Sequence, residues 1–309
     1  MMARSPDGLS FEARSAAQGS RQLEASAASL SHQARDLQDG LPAILMDARK
    51  AAKSVFFGTH GRRSAGIGEA FWQHRELGDG EALRQVDWRR SARSDRLYVR
   101  EMEREGPALL QIWADTRPSM CWRGNEARPT KAQRGLVLAM AIALAVRAGG
   151  ERVRCLYSGQ TMTQDDAFGA ALIQSGQQDW MSGDVASAQH GHILLISDGL
   201  ESEELWATRL KALAPAQGRL ILVLIQDRDE IEFPFEGRVA FSAFAGQDPV
   251  LIANAQSAQI AYRDLYDRHL AQLRGLVSQA NGQLLTHTTD QGVPPVALQI
   301  AAILARGAF

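Results

Sequence analysis

Beyond residue 108 the chain alternates between short apolar runs and longer segments whose apolar residues recur at helical spacing. The runs predict strands at 109–114, 152–157, 192–197, 219–226, 239–244 and 283–287. The helical patterns cover 131–148, 165–174, 201–213, 262–280 and 295–305. Strands that are apolar on both faces are typical of a parallel sheet buried between helices. We therefore predict an α/β fold in which 108–309 forms a doubly wound, mostly parallel sheet.

The first 57 residues carry helical spacing and almost no strand signal. One seam of apolar residues is followed by a break at 39–42 and then by a second seam. The first seam consists of Leu23, Ala27, Leu30, Ala34 and Leu37, and the second of Leu41, Leu45, Ala48 and Ala52. Two interpretations remain open: helices packed on the chain's own domain, or a docking handle for another protein. We favour the first, because a seam this rich in alanine is weak.

Residues 58–107 have a different composition, with clustered glycines and many arginines. Short strand-like pieces occur at 70–72 and 97–99. We interpret this stretch as an irregular, partly β segment with turns rather than a separate domain. Its acids match its arginines almost one for one, which favours internal ion pairs over a basic surface for a polyanion.

Composition excludes several classes of function. The net charge of −1 gives no argument for a nucleic-acid partner. The two cysteines, Cys121 and Cys155, have no metal-binding or redox spacing, which favours a reducing compartment. Residues 1–20 contain no apolar stretch typical of a signal peptide, and the longest apolar run, 135–146, is shorter than the roughly 20 residues of a membrane span. We expect a cytoplasmic protein without membrane insertion.

Two aspartates stand where predicted strands end. Asp115 follows strand 109–114 and Asp198 follows strand 192–197, with Ser119 and Ser197 nearby. Ligands of open α/β sheets bind at the carboxyl ends of the strands, and carboxylate and hydroxyl oxygens suit Mg²⁺. Each aspartate alone is more often a helix cap or a turn residue, but together they predict a site at this edge.

Other candidates are weaker. His190 and His192 would point the same way on a strand, but no further ligands accompany them. The acids of the arginine-rich segment allow an alternative function, a metal-dependent hydrolase or nuclease with two metal ions. Its acidic residues would be Asp79, Asp87, Glu101 and Glu103. This alternative lacks an obvious lysine or histidine to act on the water or the leaving group.

Several short motifs between Gly66 and Met120 resemble a bacterial family known as domain of unknown function 58 (DUF58). They begin with Gly66, Gly68 and Phe71 and end with Asp115, Ser119 and Met120. The residues between them that fit the family pattern are Arg75, Gly78, Asp79, Arg84, Val86, Asp87, Trp88, Ser91, Ala92, Arg93, Val99, Arg100 and Glu101. The later stretches 193–199 and 233–238 also resemble the family.

The resemblance implies a fold similar to von Willebrand factor type A domains, with a metal-ion-dependent adhesion site. It also implies a non-enzymatic adaptor or assembly protein that binds a protein partner, namely a MoxR-type AAA+ ATPase. By position, Asp115, Ser119 and Asp198 would be the site residues. The family's site threonine has no clear counterpart, and Thr161 and Thr163 are the candidates.

This chain departs from the family at Arg117, which stands where the first site serine belongs. A guanidinium close to two carboxylates repels a divalent cation and can replace it. We favour a degenerate site in which Arg117 pairs with Asp115 or Asp198 and no cofactor binds. The rival hypothesis is that Arg117 points to solvent and Mg²⁺ or Mn²⁺ binds weakly. A structural subunit without any ligand is a third interpretation.

Overall fold

The computed structural model describes residues 35–59, 71–76, 88–92, 96–102, 109–182, 191–213, 218–241 and 250–306. The chain divides into two compact units. One unit joins residues 1–59 to residues 108–309, and the other comprises residues 60–107. The second unit covers most of the stretch 58–107 that was interpreted as an irregular, partly β segment.

The first of these units is called the larger unit below, and residues 60–107 are called the smaller unit. Helices and strands alternate along the larger unit. The first unit contains α1 (Leu41–Thr59), β3 (Leu109–Ala114), α3 (Lys131–Ala148), β4 (Arg152–Cys155), α4 (Asp165–Gly176), β5 (His192–Ser197), α5 (Glu203–Leu213), β6 (Leu220–Gln226), α6 (Arg228–Glu232), β7 (Val239–Phe241), β8 (Val250–Ile252), α7 (Ala255–Gln279), β9 (Gly282–Thr288) and α8 (Val293–Arg306). The smaller unit contains β1 (Phe71–Glu76), α2 (Trp88–Ser91) and β2 (Tyr98–Met102).

Five strands of the larger unit form one parallel sheet in the order β4-β3-β5-β6-β9. Counted along the chain, these strands lie in the order 2-1-3-4-5, in which the direction of winding reverses between β3 and β5. This is a doubly wound sheet with its topological switch point between those two strands. The predicted α/β fold with a mostly parallel sheet is confirmed, and Asp115 and Asp198 flank the switch point.

Alternating side chains of the central strands supply two separate cores. Ile112 and Ile196 face a core completed by α1, α3, α4 and α8. Trp113 and Leu195 face the opposite core, which is completed by α5 and α7. Burial of apolar side chains on both faces explains why these strands could be predicted from their apolar sequence.

Helix α1 is an integral part of the larger unit. All four of its predicted apolar positions, from Leu41 to Ala52, are buried, and the helix packs on α3 and α8. The interpretation of a helix packed on the chain's own domain is confirmed for α1. The preceding seam lies outside the described residues, except for Leu37, which is buried.

In the smaller unit, β1 and β2 pair as antiparallel strands, with an irregularity in register between Phe71 and Gln73. These strands coincide with the two strand-like pieces expected from the sequence. The hydroxyl of Ser91 in α2 accepts a hydrogen bond from the Tyr98 amide at 2.9 Å, which fastens α2 to the start of β2.

Three local features differ from the sequence prediction. The antiparallel β7–β8 pair has strands of three residues each, and β8 was too short to show periodicity. Helix α6 lies between two predicted strands where no helix was predicted, and a capping box of Asp227 and Glu230 starts it. Helix α7 begins at Ala255, capped by Asn254, seven residues before the predicted start. Its first two turns are mostly exposed and carry no apolar stripe.

In the part of the chain that the structure describes, no helix combines the length and the apolar character needed to cross a membrane.

Candidate functional site

Asp115 is fixed at the point where β3 ends. Its amide donates to the carbonyl of Ile196 at 2.8 Å, which extends the β3–β5 ladder by one bond. The carboxylate is almost completely buried and is held by Arg117 as a two-pronged pair. Nε of Arg117 donates to Oδ1 at 2.9 Å and Nη2 donates to Oδ2 at 2.6 Å. The Arg117 amide adds a third bond to Oδ1 at 3.0 Å.

The end of β5 contributes to the same site. The hydroxyl of Ser197 donates to Oδ2 of Asp115 at 2.9 Å and accepts from the amide of Gly199 at 3.2 Å. Gly199 has a φ of +75°, and a Cβ there would press on Leu224 and Leu273. The glycine therefore lets the chain turn sharply behind Asp198 at the switch point.

The remaining arm of Arg117 connects Asp115 to a chain of alternating charges. Nη1 of Arg117 donates to Glu201 at 2.6 Å, and Glu201 also accepts a short hydrogen bond from Arg209. Arg209 in turn donates to Asp179 at 2.6 Å. The guanidinium of Arg117 lies over Trp113, 5.4 Å from the centre of the ring. The packing and the pairing together fix Arg117 in place.

A second internal cation holds Asp198. Lys131, the first residue of α3, is completely buried, and its Nζ donates to Asp198 at 3.1 Å and to Glu230 at 2.6 Å. Thr130 caps the helix through a capping box with Gln133, which makes Lys131 the first residue of the helix. The sequence reasoning missed Lys131. The available signal was a lysine in the first turn of an apolar helix, where the helix dipole disfavours a cation.

Glu230 links Lys131 to a further set of charges at the start of α6. Its other oxygen accepts from the Asp227 amide at 2.8 Å. Asp227 is buried and accepts from Arg128 at 2.5 Å and from the Thr289 hydroxyl at 2.8 Å. Arg128 also donates to Asp229 at 2.8 Å. The loop before α3 and the start of α6 are thereby tied together.

Burial and ion pairing have opposite effects on the pKa values of these groups. Burial raises the pKa of Asp115, although the hydrogen bonds and the charge of Arg117 lower it. Burial likewise raises the pKa of Glu230 against the influence of Lys131. Burial disfavours the charge on Lys131, but Asp198 and Glu230 outweigh it and raise the pKa of this lysine. The site thus holds cations that stay charged at neutral pH.

These residues do not fit a divalent cation. Both oxygens of Asp115 are engaged by Arg117 and Ser197, and Asp198 is engaged by Lys131 and the Leu200 amide. Two permanent positive charges already lie within hydrogen-bond distance of the carboxylates. Within the described residues, no group of three or more histidines, cysteines, aspartates or glutamates is arranged to hold a metal ion. The Arg117–Asp115 pair is the geometry expected for the degenerate site.

The other proposed site residues are not brought to the carboxylates. Ser119 lies on the short 3-10 helix Pro118–Cys121, and no hydrogen bond between its hydroxyl and Asp115 or Asp198 is found in the described part of the chain. Thr161 lies on an isolated bridge with Arg154. The carbonyl of Thr163 accepts from Arg147, near the end of α3 opposite to Lys131. The sheet does not place either threonine beside Asp115.

The motif residues before β3 are only partly described. Arg75 lies in β1, and Arg100 and Glu101 lie in β2. Trp88 is exposed and Ser91 is buried. Several motif residues and one further acid, Glu103, lie outside the described residues: Gly66, Gly68, Gly78, Asp79, Arg84, Val86, Asp87, Arg93 and Glu103. His190 also lies outside them, whereas Nδ1 of His192 accepts from the Arg219 amide at 3.1 Å.

The sequence profile of one family, described as "Protein of unknown function DUF58", matches residues 73–165. This part of the chain is therefore similar to that family. The DUF58 match confirms the resemblance inferred from the motifs, and it spans Asp115, Arg117 and Lys131 but ends before Asp198. No curated protein matches the chain.

Two solved structures from Bacteroides are similar to this chain. One is described as an aerotolerance-related membrane protein from Bacteroides fragilis carrying multiple mutations to serine. It has 12% identity and a TM-score of 0.38, covering 64% of this chain and 99% of that one. The other is described as the conserved hypothetical protein BatB from Bacteroides thetaiotaomicron. It has 10% identity and a TM-score of 0.39, covering 65% of this chain and 100% of that one.

Proposed function

We propose that this protein is a non-enzymatic adaptor that binds a protein partner through the carboxyl edge of its sheet without a metal ion. The observation that carries the proposal is the placement of Arg117. Its guanidinium bridges Asp115 and Glu201 at the switch point, and 23% of its side chain remains exposed. A fixed, partly exposed cation at this edge offers a recognition point for an acidic group.

The charged side chains at this edge stabilise one another, which supports a binding role. Arg117 and Arg209 share Glu201, and Lys131 bridges Asp198 and Glu230. A partner carboxylate could replace Glu201 on Arg117 with little rearrangement, because Glu201 keeps its contact with Arg209. In this way Arg117 would do what a bound metal does in a type A domain.

For the partner we propose a MoxR-type AAA+ ATPase, on the strength of the DUF58 match, and for the compartment the cytoplasm. The direct test is affinity purification from cells that express the protein at its native level, with ADP or a slowly hydrolysed ATP analogue added. We expect capture of the ATPase by the wild-type protein and at least tenfold less capture by Arg117→Gln.

Arg152→Gln is the matched control, because Arg152 is an exposed arginine at the amino end of β4, away from the carboxyl edge. It should capture as much ATPase as the wild type. Equal capture by Arg117→Gln, with its fold shown intact by circular dichroism, would contradict the proposed surface. Failure of the wild type to capture any AAA+ ATPase would contradict the proposed partner.

The metal-free character of the site has its own test. Titration calorimetry with Mg²⁺ and with Mn²⁺ should show no saturable binding to the wild-type protein, since Arg117 and Lys131 already hold the carboxylates. Saturable binding that disappears in Asp115→Ala would show instead that the site holds a metal ion.

A further inference from the structure

A cavity of about 660 Å³ opens beside the Lys131–Glu230 pair. It lies among α6, the β7–β8 pair, the first turns of α7 and the loop that carries Trp122. Its aromatic wall consists of Trp122, Phe233, Phe235, Phe241 and Tyr262. The volume falls in the range of small-molecule binding pockets.

The aromatic rings of this wall contact one another. The ring centre of Phe233 lies 4.6 Å from that of Tyr262 and 5.1 Å from that of Phe235. Phe235 meets Phe241 edge to face at 5.2 Å. Phe233 has a φ of 48°, a left-handed conformation that is unfavourable for a bulky side chain. The surrounding contacts hold this residue in place, because its ring is buried at the back of the wall.

Two acidic residues, Asp229 and Glu230, also line the cavity, and the hydroxyl of Tyr262 donates to the Glu230 carbonyl at 2.6 Å. Both oxygens of Glu230 are engaged, by Lys131 and by the Asp227 amide. Asp229 pairs with Arg128 through Oδ1 only, and no bond to its Oδ2 is found among the described residues. Oδ2 of Asp229 lies against Gly124, and Asp229 lines the cavity together with Glu230, so both residues bring negative charge to its wall.

The ion-paired groups beside the cavity include more carboxylates than cations. Four carboxylates, those of Asp198, Asp227, Asp229 and Glu230, share two cations, Arg128 and Lys131. Burial and the negative charge of Glu230 raise the pKa of Tyr262 to about 12. The potential in the cavity therefore favours a cation.

We propose that this cavity binds an organic cation carried on an apolar stem, namely the side chain of a lysine or arginine of a protein partner. The aromatic faces attract the cation and bury its stem. The carboxylates of Asp229 and Glu230, which line the cavity, attract the charged head. Glu230 lines the cavity and also pairs with Lys131, so the cavity adjoins the proposed binding edge. The source of the cation rests on the proposed adaptor function, whereas the cation specificity of the cavity does not.

The cation specificity is tested with small probes on the full chain. Titration calorimetry or NMR would compare n-butylguanidinium and n-butylammonium with 1-pentanol and valerate, which are similar in size but neutral or negative. We expect saturable binding of both cations, at least tenfold tighter than that of either control compound. Equal binding of pentanol would overturn the proposal, and so would no binding of the cations.

Two variants locate the binding. Asp229→Asn should weaken cation binding about tenfold and leave pentanol unchanged. Phe235→Leu keeps an apolar wall but removes one aromatic face, so it should weaken the cations severalfold. Asp264→Asn, an exposed acid farther along α7, is the matched control and should bind the probes as the wild type does. Unchanged cation binding by Asp229→Asn would overturn the assignment to this cavity.

Whether the cation is a side chain of a protein partner is tested with the same variants in the affinity purification. Loss of ATPase capture by Asp229→Asn supports a partner side chain as the occupant, and full capture by this variant overturns it. If the wild type captures no ATPase, the adaptor function fails, but the probe titrations still decide whether the cavity binds cations.

Discussion

Arg117 changes the chemistry of the sheet edge because it sits two residues from a buried carboxylate. A rigid guanidinium at this spacing reaches both oxygens of Asp115 and still extends one arm to Glu201. A serine there, as in the DUF58 pattern, would leave the carboxylate buried without a counter-charge. Removing one member of a buried ion pair costs more than the pair contributes, since the partner's charge remains buried.

We therefore predict that Arg117→Ser lowers the free energy of unfolding by about 3 kcal/mol near neutral pH. The loss of the arginine removes the influences that lower the pKa of Asp115, so this pKa rises further above its ordinary value. An acid with a raised folded pKa costs nothing where both states are protonated and destabilises the fold as pH increases. The loss should therefore shrink at mildly acidic pH.

Urea denaturation of the wild type and the variant at about pH 7 and about pH 4.5 measures this difference. Arg123→Ser, which removes an exposed arginine from the following loop, is the control and should change the free energy of unfolding by less than about 0.5 kcal/mol. A loss in Arg117→Ser that stays constant or grows as pH falls would contradict the explanation.

The sequence alone located half of this site. Asp115 and Asp198 stood out because each follows an apolar run, and Arg117 stood out because it breaks the DUF58 pattern. Glu201, Glu230 and Lys131 did not stand out, because their pairing needs elements 67 to 99 residues apart to converge. Spacing along the chain carries no signal for such contacts, so only the folded sheet reveals them.

Helix α3 shows how one element sets the geometry of the edge. It begins at Lys131, immediately after Thr130, and its first turn lies against the switch point. The Thr130 hydroxyl accepts from the backbone amide of Gln133 at 3.1 Å, and Oε1 of Gln133 accepts from the backbone amide of Thr130 at 3.0 Å. The cap therefore decides where the ammonium of Lys131 is placed.

We predict that Thr130→Ala lowers the free energy of unfolding by about 1 kcal/mol, since an amide of the first turn loses its acceptor. Thr208→Ala is the matched control: its hydroxyl bonds to a carbonyl within the exposed part of α5. Chemical denaturation of both variants gives the comparison. Equal effects would show that the capping box contributes nothing specific to α3.

The accuracy of the sequence prediction at the level of elements follows burial. The bounds of β3, β5 and α3 were predicted to the residue, because these elements are apolar almost throughout and are followed by Asp115, Asp198 and Gly149. The start of α7 was missed by seven residues, since its first turns project into solvent and are fixed by Asn254. Local periodicity predicts the bounds of elements that are surrounded by a core. It does not predict a helix start that lies in solvent and is determined by a capping residue.

The larger unit includes a helix, α1, that is separated in sequence from the rest of the unit by residues 60–107. Helix α1 precedes the smaller unit in sequence, yet it closes one of the two cores together with α3 and α8. Ala48 lies at the centre of this contact and is completely buried. The alanine-rich seam was a weak signal, because small residues gain little from burial. What the sequence could not show is that they allow α1 to approach α3 closely.

We predict that Ala48→Glu lowers the stability of the whole larger unit by about 3 kcal/mol or more, because it forces a carboxylate into an apolar contact. The sheet and α1 should then melt together at a lower temperature, in a single transition followed by circular dichroism and tryptophan fluorescence. Lys53→Glu places the same charge on the exposed side of α1 and should melt close to the wild type. A sheet that melts unchanged in Ala48→Glu would mean that α1 is a detachable handle, and its buried face would then be available to a partner.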